Sequence, residues 1–287
     1  MEKGHVIDVL DHGYVKYVDS MGTDENVIEA ARMSTGRGFE GWEKDAGLLD
    51  FLWRKKHSTP FEMVELALEI QAPIMVFREW QRHRTQSYNE FSARYSQMPN
   101  LHYLPDPSRL KKQSSNNKQG TGDEEFPQEY IDMTLEELEY EQKQTYSHYE
   151  QMLTEGVAKE IARLNTPVSR YSKMRAKANL KNWLGFLNLR LRPNAQFEIR
   201  VFAEPVADII RKLFPRSYDL FEEYDLYGVS FSRTEMAAIR DVIKTIQMSQ
   251  RDMMEPFVTS AKKHNIDGRK LQEFIEKLEK GGLEILS

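Results

Sequence analysis

The chain has 287 residues, a formal net charge of −5 and no cysteine, and 40% of its residues are hydrophobic. That hydrophobic content can bury the core of one large domain or of two ordinary ones. The lack of cysteine excludes disulfides, thiolate metal sites and thiolate nucleophiles. The histidines form no HxxxH or HExxH pair, so the sequence predicts no metal site.

The overall charge and the N-terminal segment indicate the compartment. A net negative chain argues against general nucleic-acid binding, for which a basic domain is expected. No apolar run is long enough to span a bilayer, and residues 1–5 lack the apolar core of a signal peptide. We therefore expect a cytoplasmic protein with neither a membrane nor a nucleic-acid partner.

One strand and two helices are predicted before residue 60. Val15–Val18 has the composition of a short strand, and Thr23 is placed to cap a helix that ends near Arg32. The apolar residues of 48–53 predict a second helix. Residues 57–62 follow as a loop that gathers a histidine, a threonine and a glutamate.

The next segment is predicted to contain a half-buried strand and a helix. Pro60 restricts Thr59 to an extended or turn conformation. Apolar residues alternate with Glu and Ala over Val64–Ile70, which is typical of a strand with one buried face. Pro73 fits the first turn of a helix that reaches Trp80. The polar run of residues 82–95 then lacks apolar periodicity, and we predict an ordered loop there.

The second half of the chain is predicted to be mostly helical. Residues 108–126 are rich in Lys, Ser, Asn, Gln and Gly, which indicates an exposed, mobile insertion. A long helix follows, and Gly156 is placed to end it. A short helical piece at 160–163 precedes a predicted strand at Tyr171–Lys177, and Asn179–Leu191 forms a helix with one apolar face.

Three further helical segments complete the prediction. A helix is expected from about Ala195 through Phe214, with a kink or break near Pro205. Residues 235–287 are expected to form two more helices joined near residues 265–268. The tryptophans Trp53, Trp80 and Trp183 are interpreted as core or interface residues.

The segment Arg82–Tyr95, RHRTQSYNEFSARY, carries more hydrogen-bonding groups than a core accommodates. Guanidinium groups bind phosphate and carboxylate in a planar, bidentate fashion. The carboxylate and hydroxyls interleaved with them can orient a polar ring. The segment therefore predicts an anion-binding site.

The arrangement Arg82-His83-Arg84, seven residues and then Ser92 resembles the RHRx7S signature of flavin-dependent thymidylate synthases. The string SYNEFSARY extends this match. The resemblance covers most of residues 5 to about 230. It includes HxTPFE at 57–62, ExAR at 160–163 and NLR at 188–190.

This resemblance implies an α+β fold, with a mixed sheet and surrounding helices. It implies a catalytic domain at residues 1–235, with an exposed insertion near 108–126, and a C-terminal helical extension at 236–287. The implied reaction is the reductive methylation of dUMP to dTMP with FAD, NADPH and 5,10-methylenetetrahydrofolate, in a homotetramer with shared active sites. In this route reduced flavin supplies the hydride and no protein thiol is needed, which agrees with the lack of cysteine.

The resemblance also implies roles for individual residues. Arg190 resembles the family arginine that stabilises the N3-deprotonated pyrimidine, so it is the predicted catalytic residue. Ser92 is predicted to orient the nucleotide, because no base partner at a recognisable spacing supports a nucleophile. The implied dUMP contacts are Glu79, Arg82, Glu90, Ser92, Arg94, Arg163 and Arg190, with Arg82 reaching dUMP from a neighbouring subunit. The implied FAD or folate contacts are Ser34, His57, Thr59, Glu62, Arg82, His83, Arg84, Glu90, Asn179 and Lys181.

Four positions depart from the family pattern. Glu79 stands where Gln is common, and Asn194 stands where His is frequent. Lys181 replaces an Arg, which keeps the charge and loses the planar fork. Gly185 stands where a flavin-facing Asn is common. These departures concern the details of flavin and folate contacts.

Two other functions remain open on the sequence. One is a flavin-binding or nucleotide-binding homologue without catalysis, and the other is an acidic scaffold whose arginine-rich segment binds RNA. An isolated Arg-His-Arg is ordinary at a helix end, where cations are favoured. Arg163 and Arg190 taken alone would be ordinary surface residues. Their functional interpretation depends on the family resemblance.

Overall fold

The protein is described here by a computed structural model that covers residues 1–115, 120–237, 239, 259–264, 266 and 268–280. The chain divides into two compact units, Met1–Tyr227 and Gly228–Ser287. Among the residues described, no helix combines the length and the apolar character that crossing a membrane requires.

The first unit contains one five-stranded sheet with the strand order β1-β2-β3-β7-β4. Its strands are β1 (Val6–Val9), β2 (Gly13–Met21), β3 (Glu65–Pro73), β4 (Ser87–Glu90) and β7 (Tyr171–Asn179). Every neighbouring pair is antiparallel, so the sheet is not mixed as predicted. In the β2–β3 pair, for example, Met21 at the end of β2 pairs with Glu65 at the start of β3.

The helices of the first unit surround this sheet, so the predicted α+β class is confirmed. They are α1 (Asp24–Arg32), α2 (Trp42–Arg54), α3 (Thr59–Glu62), α4 (Ile74–Trp80), α5 (Gln128–Thr154), α6 (Lys159–Ala162), α7 (Leu180–Arg190), α8 (Phe197–Leu213) and α9 (Pro215–Phe221). In the second unit, Gly268–Lys280 is helical.

The main core lies between the inner face of the sheet and helices α7 and α8. Leu66, Leu68 and Ile70 of β3 are fully buried and alternate with more exposed residues, as the period-2 pattern predicted. Trp183 of α7 is also fully buried, and its indole Nε1 donates to the carbonyl oxygen of Leu66 at 2.9 Å. Trp80 packs against Phe186, and the centroids of the two rings are 4.5 Å apart. These contacts fix the C-terminal end of α4, from which the arginine-rich segment begins.

Several boundaries follow from local chemistry, as predicted. Thr23 caps α1 with a complete capping box. Its side chain accepts from the Glu25 amide, and the Asn26 side chain accepts from the Thr23 amide. Gly156 follows α5 with φ of +84°, a left-handed conformation that glycine adopts without strain. Asn179 accepts from the Asn182 amide and so begins α7.

Other predictions were wrong or incomplete. Residues 57–62 are not a plain loop, because Pro60 lies in the first turn of α3, where its missing N–H costs nothing. Pro73 ends β3 rather than lying inside α4. Pro205 lies inside α8 without breaking it. Strand β1 was not predicted at all.

The two polar segments, residues 82–95 and 108–126, contain strands that the sequence did not predict. Residues 87–90 form β4, because their backbone pairs with β7 at the edge of the sheet. The insertion contains a two-stranded ribbon of β5 (Lys111–Gln113) and β6 (Thr121–Glu125), although most of its described residues are exposed as predicted. The two predicted C-terminal helices fall partly on residues outside the described ones.

Candidate functional site

The sheet edge positions most of the arginine-rich segment. Residues 82–86 connect α4 to β4, and residues 91–95 leave β4 toward α6. Two residues of the segment, His83 and Glu90, each join a group of polar side chains from neighbouring elements. We call Glu79, His83 and Arg190 the Arg190 group, and Gln81, Glu90 and Ser172 the Glu90 group.

The guanidinium of Arg190 is fixed by two neighbours. Its Nε donates to Nε2 of His83 at 3.0 Å, and one terminal nitrogen donates to Oε2 of Glu79 at 2.9 Å. The other terminal nitrogen donates to the Glu79 carbonyl oxygen at 3.1 Å. The Arg190 side chain is only 16% exposed, while that of Glu79 is 41% exposed. The catalytic arginine of the prediction is therefore held in one orientation before any ligand arrives.

His83 is neutral in this arrangement. Burial, reinforced by the adjacent positive charge of Arg190, lowers the pKa of His83 to about 4. A neutral imidazole can accept the Arg190 hydrogen bond, whereas an imidazolium cannot. The His83 carbonyl oxygen accepts from the hydroxyl of Tyr88 at 2.7 Å, which ties the segment to β4.

The Glu90 group sits at the end of β4. Glu90 pairs with Met174 in the sheet, and its Oε1 accepts from the Ser172 hydroxyl at 3.0 Å. Its Oε2 accepts from the side-chain amide of Gln81 at 3.3 Å. Glu90 is otherwise exposed, so its carboxylate is oriented by β7 and remains open to a ligand.

The loop after β4 contacts α6 through two polar interactions. Arg94 forms an ion pair with Glu160 of α6 at 3.3 Å, and Lys159 donates to the Tyr95 carbonyl oxygen at 2.9 Å. Arg163 directly follows α6. The predicted dUMP residues at the end of β4 and after α6 therefore lie in one region, although they are about 70 residues apart in sequence.

Three arginines of the prediction are available for anions. Arg82 and Arg84 are exposed, and Arg163 is half-buried. Within the part of the chain that the structure describes, the ion pairs include none of the three. Guanidinium groups without a carboxylate partner are free to bind phosphate.

A cavity of about 350 Å³ lies between α2, α3 and α7. Its walls include the aromatic rings of Trp53, Phe61 and Phe221, and its polar lining includes His57 and Lys181. Lys181 forms an ion pair with Glu62 at 2.9 Å. Gly185 also lines the cavity, and a Cβ atom there would meet no atom within 4 Å, so this glycine widens the cavity. Two predicted flavin or folate positions, His57 and Lys181, thus line one cavity, and a third, Glu62, pairs with Lys181.

The remaining predicted positions lie around these groups. Thr59 lines a second cavity, of about 390 Å³, that it shares with His57. Ser34 follows α1 and donates to the Ala31 carbonyl oxygen at 3.1 Å. The side-chain oxygen of Asn179 is engaged in capping α7. Asn194 is exposed between α7 and α8.

Sequence reasoning missed Gln81 and Ser172, which orient Glu90. Gln81 directly precedes the RHR motif, and its position next to a motif was the only available signal. Ser172 lies inside a predicted strand, where no motif marks it. Its contact with Glu90 arises from the pairing of β7 with β4.

The fold defines an α+β protein in which Glu79, His83 and Arg190 form one hydrogen-bonded group. Residues 16–216 match the protein family described as "Thymidylate synthase complementing protein". Residues 229–282 match the family described as "Thymidylate synthase ThyX C-terminal domain". The chain belongs to the flavin-dependent thymidylate synthases, and the predicted family is confirmed.

Curated relatives and solved structures agree with this membership. The flavin-dependent thymidylate synthase of Wolbachia pipientis wMel is 44% identical over 82% of this chain and 83% of that protein. The enzyme of the same name from Treponema denticola is 37% identical over 95% of this chain and 97% of that protein. The UMP/dUMP methylase PolB from Streptomyces cacaoi, bound with 5-Br dUMP, is 31% identical with a TM-score of 0.69, and the match covers 78% of this chain and 100% of that chain.

Proposed function

We propose that this chain methylates dUMP to dTMP reductively, with FAD as bound cofactor and with NADPH and 5,10-methylenetetrahydrofolate as co-substrates. The observation that supports this most is the Arg190 guanidinium, which is fixed by Glu79 and a neutral His83. Family membership supports the reaction class, and the solved PolB structures support a uridine nucleotide as substrate.

The residues present fit FAD. A cavity with aromatic walls suits a flat ring system, and the exposed cations Arg82 and Arg84 suit a diphosphate. His57 and Lys181 would hold polar atoms of the ring at the cavity. When bound, FAD supplies the hydride that a route without a cysteine nucleophile requires.

Ser92, Arg94, Arg163 and Glu90 bind and orient dUMP in this proposal. Arg94 and Arg163 lie on the two sides of the contact between the loop after β4 and α6, so both can approach one phosphate. Ser92 donates its hydroxyl to the nucleotide and forms no covalent bond. Glu90, oriented by Ser172, accepts a hydrogen bond from the ligand.

Arg190 stabilises negative charge on the pyrimidine. Its guanidinium uses one N–H of each nitrogen for His83 and Glu79, and its other N–H groups remain available. A donor that is oriented before the reaction stabilises the developing charge without having to reorganise. Such electrostatic stabilisation is usually the largest single contribution to catalysis. The carboxylate of Glu79 offsets the cost of holding this cation in a largely buried position.

We further propose a homotetramer with shared active sites. The surface around the predicted site carries exposed apolar side chains, which in a monomer would remain in contact with water. They include Tyr95, Ile161, Leu164, Val168 and Leu189. Within each chain we propose that residues 1–235 form the catalytic domain, with 236–287 as a helical extension, and that the protein works in the cytoplasm without a nucleic-acid partner.

Tritium release from [5-³H]dUMP tests the function. Purified protein is incubated with FAD, NADPH and methylenetetrahydrofolate, and release that requires all three supports the proposal. Binding of FAD and dUMP without release would indicate a non-catalytic homologue. RNA that displaces dUMP at physiological salt would instead favour the scaffold function. [5-³H]UMP is assayed in parallel, because PolB is described as a UMP/dUMP methylase.

A further inference from the structure

A half-buried arginine that belongs to no recognised motif lies beside the Glu90 group. Arg170 directly precedes β7 and pairs with His102 in an isolated antiparallel bridge. On extended backbone, residues two apart point to the same face of the sheet. Arg170 therefore shares a face with Ser172, whose hydroxyl donates to Glu90 at 3.0 Å.

The guanidinium of Arg170 lacks acceptors. Its Nε and one terminal nitrogen are buried and have no hydrogen-bond partner among the described residues. The ion pairs found in those residues do not include Arg170 either. A buried cation without an acceptor is costly, and the cost is removed when an anion with suitable geometry binds.

The charges around Arg170 favour an anionic ligand. Burial lowers the pKa of Arg170, Glu90 and Tyr149 raise it, and Arg163 lowers it. Arg170 and Arg163 are thus near enough to repel each other, while Glu90 offers a single compensating carboxylate. His102 adds no positive charge, because burial and Arg170 lower its pKa. Two arginines facing one carboxylate leave a site with excess positive charge.

We infer that Arg170 binds the phosphate of dUMP together with Arg163, as an additional substrate-binding residue. A phosphate monoester carries close to two negative charges near neutral pH and presents several acceptor oxygens. It can therefore satisfy both guanidinium groups at once. The inference rests on the proposed function, because it assigns the ligand to dUMP. Arg170 lies outside the RHRx7S, HxTPFE, ExAR and NLR segments.

The test separates phosphate recognition from general support of the site. Dissociation constants for dUMP and for deoxyuridine, which lacks the phosphate, are measured on the FAD-loaded protein by calorimetry. Arg170→Met is expected to weaken dUMP binding about 10- to 100-fold, the loss typical of a hydrogen-bonded charge. Deoxyuridine binding should change less than about twofold. Arg170→Lys keeps the charge without the fork and should lose an intermediate amount of dUMP affinity.

Arg211→Met is the matched control. It removes one arginine whose partners are Asp208 and Glu222, away from the Glu90 group, and it should leave both affinities unchanged. Circular dichroism and the FAD content establish that each variant is folded. If Arg170→Met does not fold, the ratio of dUMP affinity to deoxyuridine affinity is measured on Arg170→Gln and Arg170→Lys instead.

Two results would overturn the inference. Unchanged dUMP affinity in the folded Arg170 variants would exclude a phosphate contact. Equal weakening of dUMP and deoxyuridine would show that Arg170 supports Glu90 or the local packing instead. A wild-type protein that neither binds dUMP nor releases tritium contradicts the proposed function itself, which is a separate outcome.

Discussion

Arg190 is held by its surroundings more tightly than any other arginine of the predicted site. Its three nitrogens donate to His83, to the Glu79 carboxylate and to the Glu79 carbonyl oxygen. Glu79, where Gln is common in the family, thus supplies a charged partner to the predicted catalytic arginine. The substitution strengthens the orientation of Arg190 and partly neutralises its charge.

The first prediction concerns Arg190→Ala. We expect turnover to fall at least about 100-fold, because the variant loses a preorganised donor to the pyrimidine. FAD retention should remain within about twofold, since the aromatic cavity is untouched. The turnover number and the ratio of flavin to protein absorbance measure the two effects. Arg200→Ala, which removes a half-buried arginine of α8 outside the predicted site residues, is the control, and wild-type turnover in Arg190→Ala would refute the catalytic role.

The second prediction concerns the pH dependence that His83 contributes. Its pKa falls from 6.5 to about 4 on folding, so the unfolded chain binds the proton more readily. The stabilisation is complete above pH 6.5 and is lost as the pH falls toward 4. We expect the free energy of unfolding to fall by about 1 to 2 kcal/mol over this pH range. This is less than the full pKa shift implies, because the imidazole is only half-buried.

His83→Gln tests this sign, since Gln can still accept from Arg190 without titrating. Urea unfolding of both proteins gives the difference in unfolding free energy at each pH. The wild type should lose stability relative to the variant between pH 7 and pH 4.5. A difference that is constant over this range would show that His83 is not buried as a neutral group.

At the scale of elements, the buried carboxylate of Asp24 joins the start of α1 to the start of α9. It accepts from the amides of Arg216 and Ser217 at 2.8 and 3.2 Å, and from the Ser217 hydroxyl at 2.6 Å. An anion near a helix N-terminus is favourable because it satisfies free amides there. Phe221, at the other end of α9, lines the cavity. The position of this wall therefore depends on Asp24.

The third prediction is that Asp24→Ala destabilises the protein by about 2 to 4 kcal/mol and weakens FAD binding. The substitution leaves three donors without an acceptor, and the two from Ser217 are buried. Denaturant unfolding measures the stability, and flavin titration measures the affinity. Asp208→Ala, an exposed carboxylate of α8, should change neither by much. Full FAD affinity in Asp24→Ala would show that α9 holds its place without this anchor.

Elements specified by local chemistry were predictable from the sequence. The alternating apolar residues of β3 and the Thr23 cap of α1 each act within a few residues. Strand β4 was not predictable, because its polar sequence becomes a strand only through backbone pairing with β7. The same holds for the ribbon in the insertion.

The residues of the site likewise divide into those that a local motif predicts and those that only strand pairing brings together. The family match named both His83 and Arg190, which the structure joins by a hydrogen bond of 3.0 Å, while the roles of the site residues stay predictions. It could not indicate Ser172 or Gln81, because their contacts with Glu90 depend on strand register and on the end of α4. Residue type and spacing carry no information about register between distant strands.

At the scale of the whole molecule, apolar side chains around the site remain exposed in the single chain. Leu164 is 71% exposed and follows Arg163 directly. Burial of such side chains against another subunit would contribute to assembly. The same contact would place a second chain next to the predicted dUMP residues.

The fourth prediction is that Leu164→Asp dissociates the proposed tetramer and lowers activity at least about tenfold. A carboxylate in an apolar interface has no partner and opposes its burial. Sedimentation velocity measures the assembly state, and tritium release measures activity. Tyr140→Asp, at an exposed position in the middle of α5, serves as the control. A Leu164→Asp protein with unchanged sedimentation would exclude this surface as an interface.

The place of Glu90 on the outermost strand has a thermodynamic consequence. β4 is joined to the sheet by four residue pairs with β7, so its opening costs less than that of the central strands. A nucleotide that contacts both Glu90 and Arg163 links this strand to α6. By mass action, saturation at 100 times the dissociation constant adds about 2.7 kcal/mol to the stability of the bound form. Bound substrate would therefore raise the free energy of opening β4, and this edge of the sheet would be most stable while the nucleotide is bound.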